Sequence, residues 1–233
     1  MRIPHDLRLA ATFVALLMIS SNAGAQVSQR SLNPASQSSE HKEVTGILTD
    51  RLTKSKLRAW EAILRIVLAK DKDGRPVHPK LFALYKKADT SGHAIFVELS
   101  TQSFAFSSLG WCRVVSQDES TRNATLVLRL NLGMIGRARV SEKNRRTDGF
   151  IPFTGLRKNE RYAEVLGHEL THAVRLLLDA DYLALYRERK AKVYSSSPDS
   201  RSIDSLTSLI EKPAEATEEE IWHELIAGRE PRM

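Results

Sequence analysis

Hydrophobic residues recur three or four positions apart near the start of the chain and again towards its end. Over Val44–Lys70 this spacing predicts one long helix. The Asp, Gly, Arg and Pro residues at 73–76 interrupt the pattern, and a short helix is predicted over Pro79–Lys87. Helical spacing returns over Asn159–Arg189. Helices are therefore predicted on both sides of the middle region.

The middle region follows a different pattern, in which short apolar runs have the composition of strands. Ala94–Leu99, Trp111–Val115 and Thr125–Leu132 are the three predicted strands. Within the last of them, leucines alternate with residues that include Arg129 and Asn131. One face of that strand is therefore expected to be more polar than the other.

Three further segments complete the prediction. Residues 136–158 contain Gly, Pro, Asn and many basic residues, which indicates a long basic loop, and the Ser, Pro and Asp residues at 195–205 indicate a linker. A last helix is predicted in which Thr217 and Glu220 form a capping box. A helix, a small mixed or antiparallel sheet and then two helices predict an α+β fold, with the sheet upstream of the helix over Asn159–Arg189.

The first 25 residues have the pattern of a signal peptide. Two arginines precede an apolar run over Leu9–Ile19, and Ala23-Gly24-Ala25 matches a cleavage site. The run is shorter than the roughly 20 residues that cross a bilayer, so no membrane span is expected in the mature chain. Residues 26–42 are rich in Ser, Gln and Asn and are predicted to be a disordered lead-in. Residues 43–233 are predicted to form a single domain.

Charge and cysteine content restrict the possible partners and the cellular compartment of the protein. The formal net charge is +7 at pH 7, and a denser basic run covers 137–146. No aromatic stacking residues or recognisable module accompany this run, so a nucleic-acid partner is not expected. Cys112 is the single cysteine, so no intramolecular disulfide can form. Together with the signal peptide, this favours a bacterial protein that is secreted or periplasmic.

The segment His168-Glu169-Leu170-Thr171-His172 lies within the predicted helix over Asn159–Arg189. His168 and His172 are four residues apart, so both imidazoles project from one face of a helix, one turn apart. That spacing allows two ring nitrogens to bind one Zn²⁺. Glu169 can then accept a proton from a metal-activated water. The other face is apolar, which would anchor the helix in a core.

This HExxH segment resembles the zincin metallopeptidases over about ten residues, Val165–Val174. The resemblance implies a zincin-like fold, a Zn²⁺ cofactor and peptide-bond hydrolysis with Glu169 as general base. Metzincins continue with Gly and His where this chain has Arg175 and Leu178, so that subclass is excluded. Aspzincins take an Asp after a glycine turn. Asp181 is only a minor alternative, because the residues before it are expected to continue the helix.

Gluzincins take their third zinc ligand from a downstream helix, often within a Glu-x-x-x-Asp/Glu pattern. The segment Glu220-Ile221-Trp222-His223-Glu224 has this form and resembles the arrangement in lethal-factor-type toxins. The resemblance implies that Glu220 is the third ligand and that Glu224 supports a histidine ligand. Glu218 and Glu219 are the alternative ligands. The acidic run could instead complement the start of the last helix.

The expected function is that of a secreted zinc metallopeptidase, a hydrolase acting on a peptide or protein. Its substrate would pair with an edge strand, for which Ala94–Leu99 and Thr125–Leu132 are the candidates. Spacing does not select among the candidate oxyanion stabilisers, which are His223, Tyr182, Tyr186 and Tyr194. The alternative is a non-catalytic zinc- or envelope-binding protein that uses the basic loop.

Overall fold

The computed structural model describes residues 45–101, 108–117, 124–138, 140–141, 145–146 and 149–229. Within them a four-stranded mixed sheet is combined with six helices. The strands are β1 (Gly46–Leu48), β2 (Ala94–Ser100), β3 (Gly110–Gln117) and β4 (Ala124–Asn131). The helices are α1 (Lys54–Val67), α2 (Pro79–Asp89), α3 (Leu132–Arg137), α4 (Lys158–Leu178), α5 (Ala180–Val193) and α6 (Ser200–Ala227). The α+β class is confirmed, whereas the predicted signal peptide and lead-in lie outside the described residues.

The strands lie in the order β1-β2-β4-β3. β1, β2 and β4 are parallel, and β3 runs antiparallel to β4. The expectation that Thr125–Leu132 forms an edge is wrong, because this segment is the inner strand β4. Ala94–Leu99 lies in β2, whose other side pairs with β1 over Ala94–Phe96. Inner strands need apolar residues to be buried, whereas the edge strand β3 exposes residues such as Val115, which is 55% exposed.

Helix α4 lies at the centre of the fold. It contacts β3, β4 and each of the other five helices described. The sheet face turned towards the helices consists of six side chains that are at most 2% exposed: Ile95, Val97, Leu99, Leu126, Leu128 and Leu130. Each such side chain stabilises the fold by about 1.5 to 3 kcal/mol on burial. Because α4 is packed on several sides, the residues on its remaining face are held in fixed positions.

The first predicted helix is wrong at its start. Gly46–Leu48 forms β1, and α1 begins only at Lys54. Gly46 has a φ of +96°, a backbone region that favours glycine. The N–H of Ile47 donates to Asp89 Oδ1 at 3.2 Å. The apolar residues of β1 fit either period, and their pairing with β2 selects the strand. The short helix predicted over Pro79–Lys87 is confirmed by α2.

The helix predicted over Asn159–Arg189 is two helices. α4 ends at Leu178, and Asp179 starts α5 by accepting a hydrogen bond from the Tyr182 N–H at 3.0 Å. Asp179 also pairs with Arg175 at 2.9 Å. An aspartate that bonds to the backbone ahead of it favours a helix start over a helix interior. The break turns the chain so that α5 packs back on α4.

The predicted linker at 195–205 is shorter than expected, since only residues 195–199 of it lie between α5 and α6, and the predicted cap at Thr217 is wrong. α6 begins at Ser200 and continues through Pro213. Thr217 lies inside the helix, where its hydroxyl donates to Pro213 O at 2.9 Å. Proline lacks the N–H that would bond to Leu209 O, and Leu209 is on the solvent side, 53% exposed. The buried face of α6 continues across the proline through Leu206, Ile210, Ala214, Ile221 and Leu225.

The basic segment between α3 and α4 forms neither helix nor strand in its described residues, as predicted, although α3 extends to Arg137. None of the described helices is at once long enough and apolar enough to cross a bilayer.

Candidate metal centre

His168 and His172 project side by side from α4. Their Nε2 atoms are 3.0 Å apart. This is the arrangement predicted from their four-residue spacing. The other side of α4 carries Leu166, Leu170 and Ala173, all fully buried, so the packing of the helix fixes where the two rings point.

A third ligand atom comes from α6. Glu211 Oε2 lies 3.3 Å from His168 Nε2 and 3.3 Å from His172 Nε2. The three residues form a group that could hold a metal ion. Zinc bonds of about 2.0 to 2.1 Å at tetrahedral angles would place neighbouring ligand atoms about 3.3 Å apart. The observed separations of 3.0 and 3.3 Å therefore fit a four-coordinate zinc with these three ligands.

Glu220, the third ligand expected from the sequence, is not in this group. Its carboxylate lies 2.6 Å from Lys80 Nζ, and its side chain is 56% exposed. Residues nine apart on a helix with 3.6 residues per turn are separated by about 180° around the axis. Because Glu211 faces the histidines, Glu220 lies on the opposite side of α6. The side-chain positions therefore favour Glu211 over Glu220.

The other carboxylates proposed from the sequence also have different surroundings. Glu224 accepts hydrogen bonds from the N–H groups of Lys80 at 2.7 Å and Leu81 at 3.4 Å. It therefore satisfies unpaired N–H groups at the start of α2. The sequence had led us to expect that it would contact a histidine ligand instead. Glu219 and Asp181 are not part of the group that could hold a metal ion, and Asp181 is exposed in the first turn of α5.

Glu218 takes the supporting position that was expected of Glu224. Its Oε2 lies 3.3 Å from His168 Nδ1, and its side chain is 7% exposed. Glu218 is seven residues after Glu211, which is nearly two full turns, so both face α4. When Nδ1–H donates to this carboxylate, Nε2 keeps its lone pair for a metal.

Tyr182 supports the second histidine. Its hydroxyl oxygen is 2.5 Å from His172 Nδ1 and 3.1 Å from Ile210 O. A carbonyl can only accept, so the hydroxyl donates to Ile210 O and its oxygen accepts the proton of Nδ1. This again leaves Nε2 free to bind a metal. Tyr182 was considered from the sequence only as an oxyanion stabiliser.

Glu169 lies beside the histidines and beneath the first residue of β3. A Cβ atom at position 110 would lie 2.6 Å from Glu169 Oε1. Because Gly110 has no Cβ atom, the strand can pass close to the carboxyl group. Glu169 is 5% exposed. Burial raises the pKa of Glu169 to about 7, against the opposing effect of the two histidines. The group is therefore suited to gaining and losing a proton near neutral pH.

The carboxylates Glu211 and Glu218 favour a positive charge on His168. Burial opposes a charge on His168, but hydrogen bonds to Glu211 and Glu218 outweigh it and raise the pKa of His168 to about 10. In Glu211, contacts from both histidines overcome the effect of burial and lower the pKa of the carboxyl group. Carboxylates that hold a proton on His168 would also attract a divalent cation.

The sequence therefore identified His168, Glu169 and His172 as neighbours, but it did not identify Glu211. Glu218 was expected only as an alternative metal ligand and Tyr182 only as an oxyanion stabiliser, whereas each contacts the Nδ1 atom of a histidine. Apolar residues at helical spacing, Ile203, Leu206 and Ile210, continue into the final helix. This spacing is the sequence signal that could have placed Glu211 on the same helix as the acidic run. No protein-family model matches this chain, and neither a curated protein nor a solved structure is similar enough to match it.

Proposed function

We propose that this protein is a zinc-dependent peptidase in which His168, His172 and Glu211 bind the metal and Glu169 transfers protons. The observation that carries the proposal is the convergence of three donor atoms, 3.0 and 3.3 Å apart, beside a buried carboxyl group. Two histidines and one glutamate are a donor set of zinc hydrolases, which leave a fourth position for water. The same donors also suit iron(II), but a proton-transferring carboxyl group favours hydrolysis.

In this mechanism the protein positions the reactants and moves the proton. Zinc at the site would supply Lewis acidity and lower the pKa of a water ligand towards 7. Glu169 accepts the proton of the attacking water and returns it to the leaving amine. Glu218 and Tyr182 hold the imidazoles so that both Nε2 atoms face the same point.

The edge strand β3 supports a peptide as the substrate class. The Asn131 N–H donates to Leu109 O at 2.8 Å, so Leu109 and Asn131 form a hydrogen-bonded pair. In an antiparallel ladder, hydrogen-bonded pairs alternate with pairs that are not bonded to each other. The N–H and C=O groups of Gly110 and Cys112, which belong to the second kind, therefore point away from β4. An extended peptide could pair with them and pass over Glu169.

The proposal is tested by metal content and hydrolysis together. We expect about one zinc per chain in the purified wild type. Glu211→Ala should lose the metal, because it removes one of three ligands. Glu220→Ala is the matched control on the same helix and should keep it. Metal is measured by mass spectrometry, which also identifies the element.

The second arm tests the chemistry. Glu169→Gln should keep zinc and reduce hydrolysis of a mixed peptide library by a factor of roughly 10² to 10⁴. A wild type that binds zinc and cleaves no peptide would favour the alternative of a non-catalytic zinc-binding protein. A wild type that binds no metal would contradict both.

A further inference from the structure

Arg146, in the basic segment before α4, contacts a residue that borders the proposed metal centre. Its Nη2 forms an ion pair with Glu218 Oε2, and its Nη1 donates to Glu215 O at 2.9 Å. Its side chain is only 16% exposed. The guanidinium therefore makes a two-pronged contact with α6, which a surface charge in a solvated loop would not need.

The carboxylate that Arg146 binds is the one that contacts a proposed zinc ligand. Glu218 Oε2 is shared between Arg146 and His168 Nδ1, and the other nitrogen of that ring faces Glu211. Arg146, Glu218 and His168 thus form a chain of contacts from the loop to the metal position. Groups that orient a ligating histidine affect metal affinity by roughly 10- to 100-fold.

The turn around Arg146 holds its side chain in place. The backbone N–H of Arg146 donates to Phe150 O at 2.8 Å, and the guanidinium lies 4.9 Å from the centre of the Phe150 ring. That ring makes an edge contact with Trp222 of α6, with centroids 5.7 Å apart. Trp222 in turn donates to Thr154 O at 2.7 Å. The position of Arg146 is therefore set by the same helix that carries Glu211.

A second buried carboxyl group, Glu164, lies near Glu218. Burial and the charge of Glu218 raise the pKa of Glu164, so Glu218 is the charged carboxylate that pairs with Arg146. Without Arg146, Glu218 would lose its direct ion-pair partner in a buried site, which is strongly unfavourable.

We propose that Arg146 is a positioning residue that sets the affinity of the metal centre through Glu218 and His168. The inference rests on the proposed zinc site and adds to it a residue outside the helices that hold the metal. It also gives the basic segment a structural role at the site, in addition to its charge.

The test is the zinc dissociation constant, measured by competition with a coloured chelator. Arg146→Ala should weaken zinc binding by about 10-fold or more. Arg146→Lys should recover part of the loss, because it restores the charge but not the two-pronged contact. Arg145→Ala is the matched control, since its guanidinium donates to Gly149 O within the same turn, and it should leave zinc affinity unchanged.

A double-mutant cycle distinguishes positioning from general damage to the fold. In a Glu218→Gln background, Arg146→Ala should have little further effect on zinc affinity, because its route to His168 has been removed. The visible spectrum of the cobalt(II)-substituted protein should change in Arg146→Ala and not in Arg145→Ala.

If zinc affinity is unchanged in Arg146→Ala, or falls equally in the Glu218→Gln background, the role assigned to Arg146 is wrong. Absence of zinc binding in the wild type would instead contradict the proposed function itself.

Discussion

The carboxyl group of Glu164 lies fully buried one turn before His168. Neither of its oxygens has a hydrogen-bond partner of ordinary geometry among the described residues, although the Phe153 backbone N–H lowers the pKa of the group in part. Burial, together with the nearby charge of Glu218, raises the pKa of Glu164 well above its usual value. A carboxyl group that is hard to ionise in the folded state makes the protein less stable as the pH rises.

We therefore predict that Glu164→Gln stabilises the protein at alkaline pH. Between the unfolded pKa near 4.5 and the higher folded pKa, the folded protein binds more protons than the unfolded chain, so wild-type stability falls with rising pH. Glutamine has the same shape and no such loss, so it should add about 1 to 3 kcal/mol at pH 8 and less below pH 4.5. Denaturant unfolding at both pH values measures this.

Glu61→Gln on the exposed side of α1 is the control for this change, and it should have little effect at either pH. A Glu164→Gln protein that is less stable than wild type at pH 8 would show that the ionised carboxylate has a stabilising partner.

At the scale of elements, the edge strand β3 crosses Glu169 at Gly110, so on the proposed function it is the strand that would pair with a peptide. The backbone groups of Gly110 and Cys112 point away from β4, whereas those of Trp111 point towards it. A bound peptide would therefore donate hydrogen bonds to β3 only from every second residue.

This alternation predicts the effect of methylating the peptide backbone. For a peptide that the protein cleaves, N-methylation at residues that pair with β3 should lower kcat/KM by about 10-fold, the equivalent of one lost hydrogen bond. Methylation at the intervening residues should have a much smaller effect. Equal rates for the two sets of peptides would rule out pairing with this strand.

The elements differ in how far they could be predicted from the sequence. α4 was predicted because its apolar residues are periodic and its histidines share one face, both local properties. The inner strands β2 and β4 were predicted for the same reason. Which strands form the edges was not, because strand order depends on contacts between distant segments.

The third ligand was missed for two physical reasons. Pro213 and the Ser, Pro and Asp residues before α6 favour a break, but a proline is tolerated when the carbonyl it leaves unpaired is on the solvent side. In addition, Glu220 and Glu224 match the Glu-x-x-x-Asp/Glu pattern of a known ligand site. Which carboxylate lies near the histidines depends instead on which face of α6 packs on α4. Gly167 allows that packing, since a side chain there would collide with Ile221.

At the scale of the whole molecule, the metal would join α4 at the centre of the fold to α6. We predict that zinc raises the melting temperature relative to the chelator-treated protein. At a free zinc concentration 1,000 times the dissociation constant, the stabilisation is about 4 kcal/mol. For a domain of this size, that corresponds to a shift of roughly 10 °C.

The size of this shift should increase with pH. Without metal, the site holds protons because the pKa of His168 is raised to about 10 and that of Glu169 to about 7. The folded protein then binds more protons than the unfolded chain, so its stability falls as the pH rises through these values. Zinc can bind only when the protons on its ligands have left. For each proton displaced, the free energy by which zinc stabilises the folded protein therefore increases by about 1.4 kcal/mol per pH unit.

Calorimetry of the zinc-loaded and chelator-treated protein at pH 6, 7 and 8 measures this dependence. Glu211→Ala should show little response to zinc at any of these pH values. A zinc-induced shift that stays constant from pH 6 to pH 8 would contradict the proton-binding properties described for the site.

Glu211 follows His172 by about forty residues in the chain. During synthesis on the ribosome, the segment with both histidines and Glu169 is therefore complete before the carboxylate that would close the site. For that interval the nascent protein has a two-histidine helix without its third ligand. On the proposed function, hydrolytic activity would arise only after α6 has been made and packed, so an unfinished chain could not cleave its neighbours in the cell that makes it.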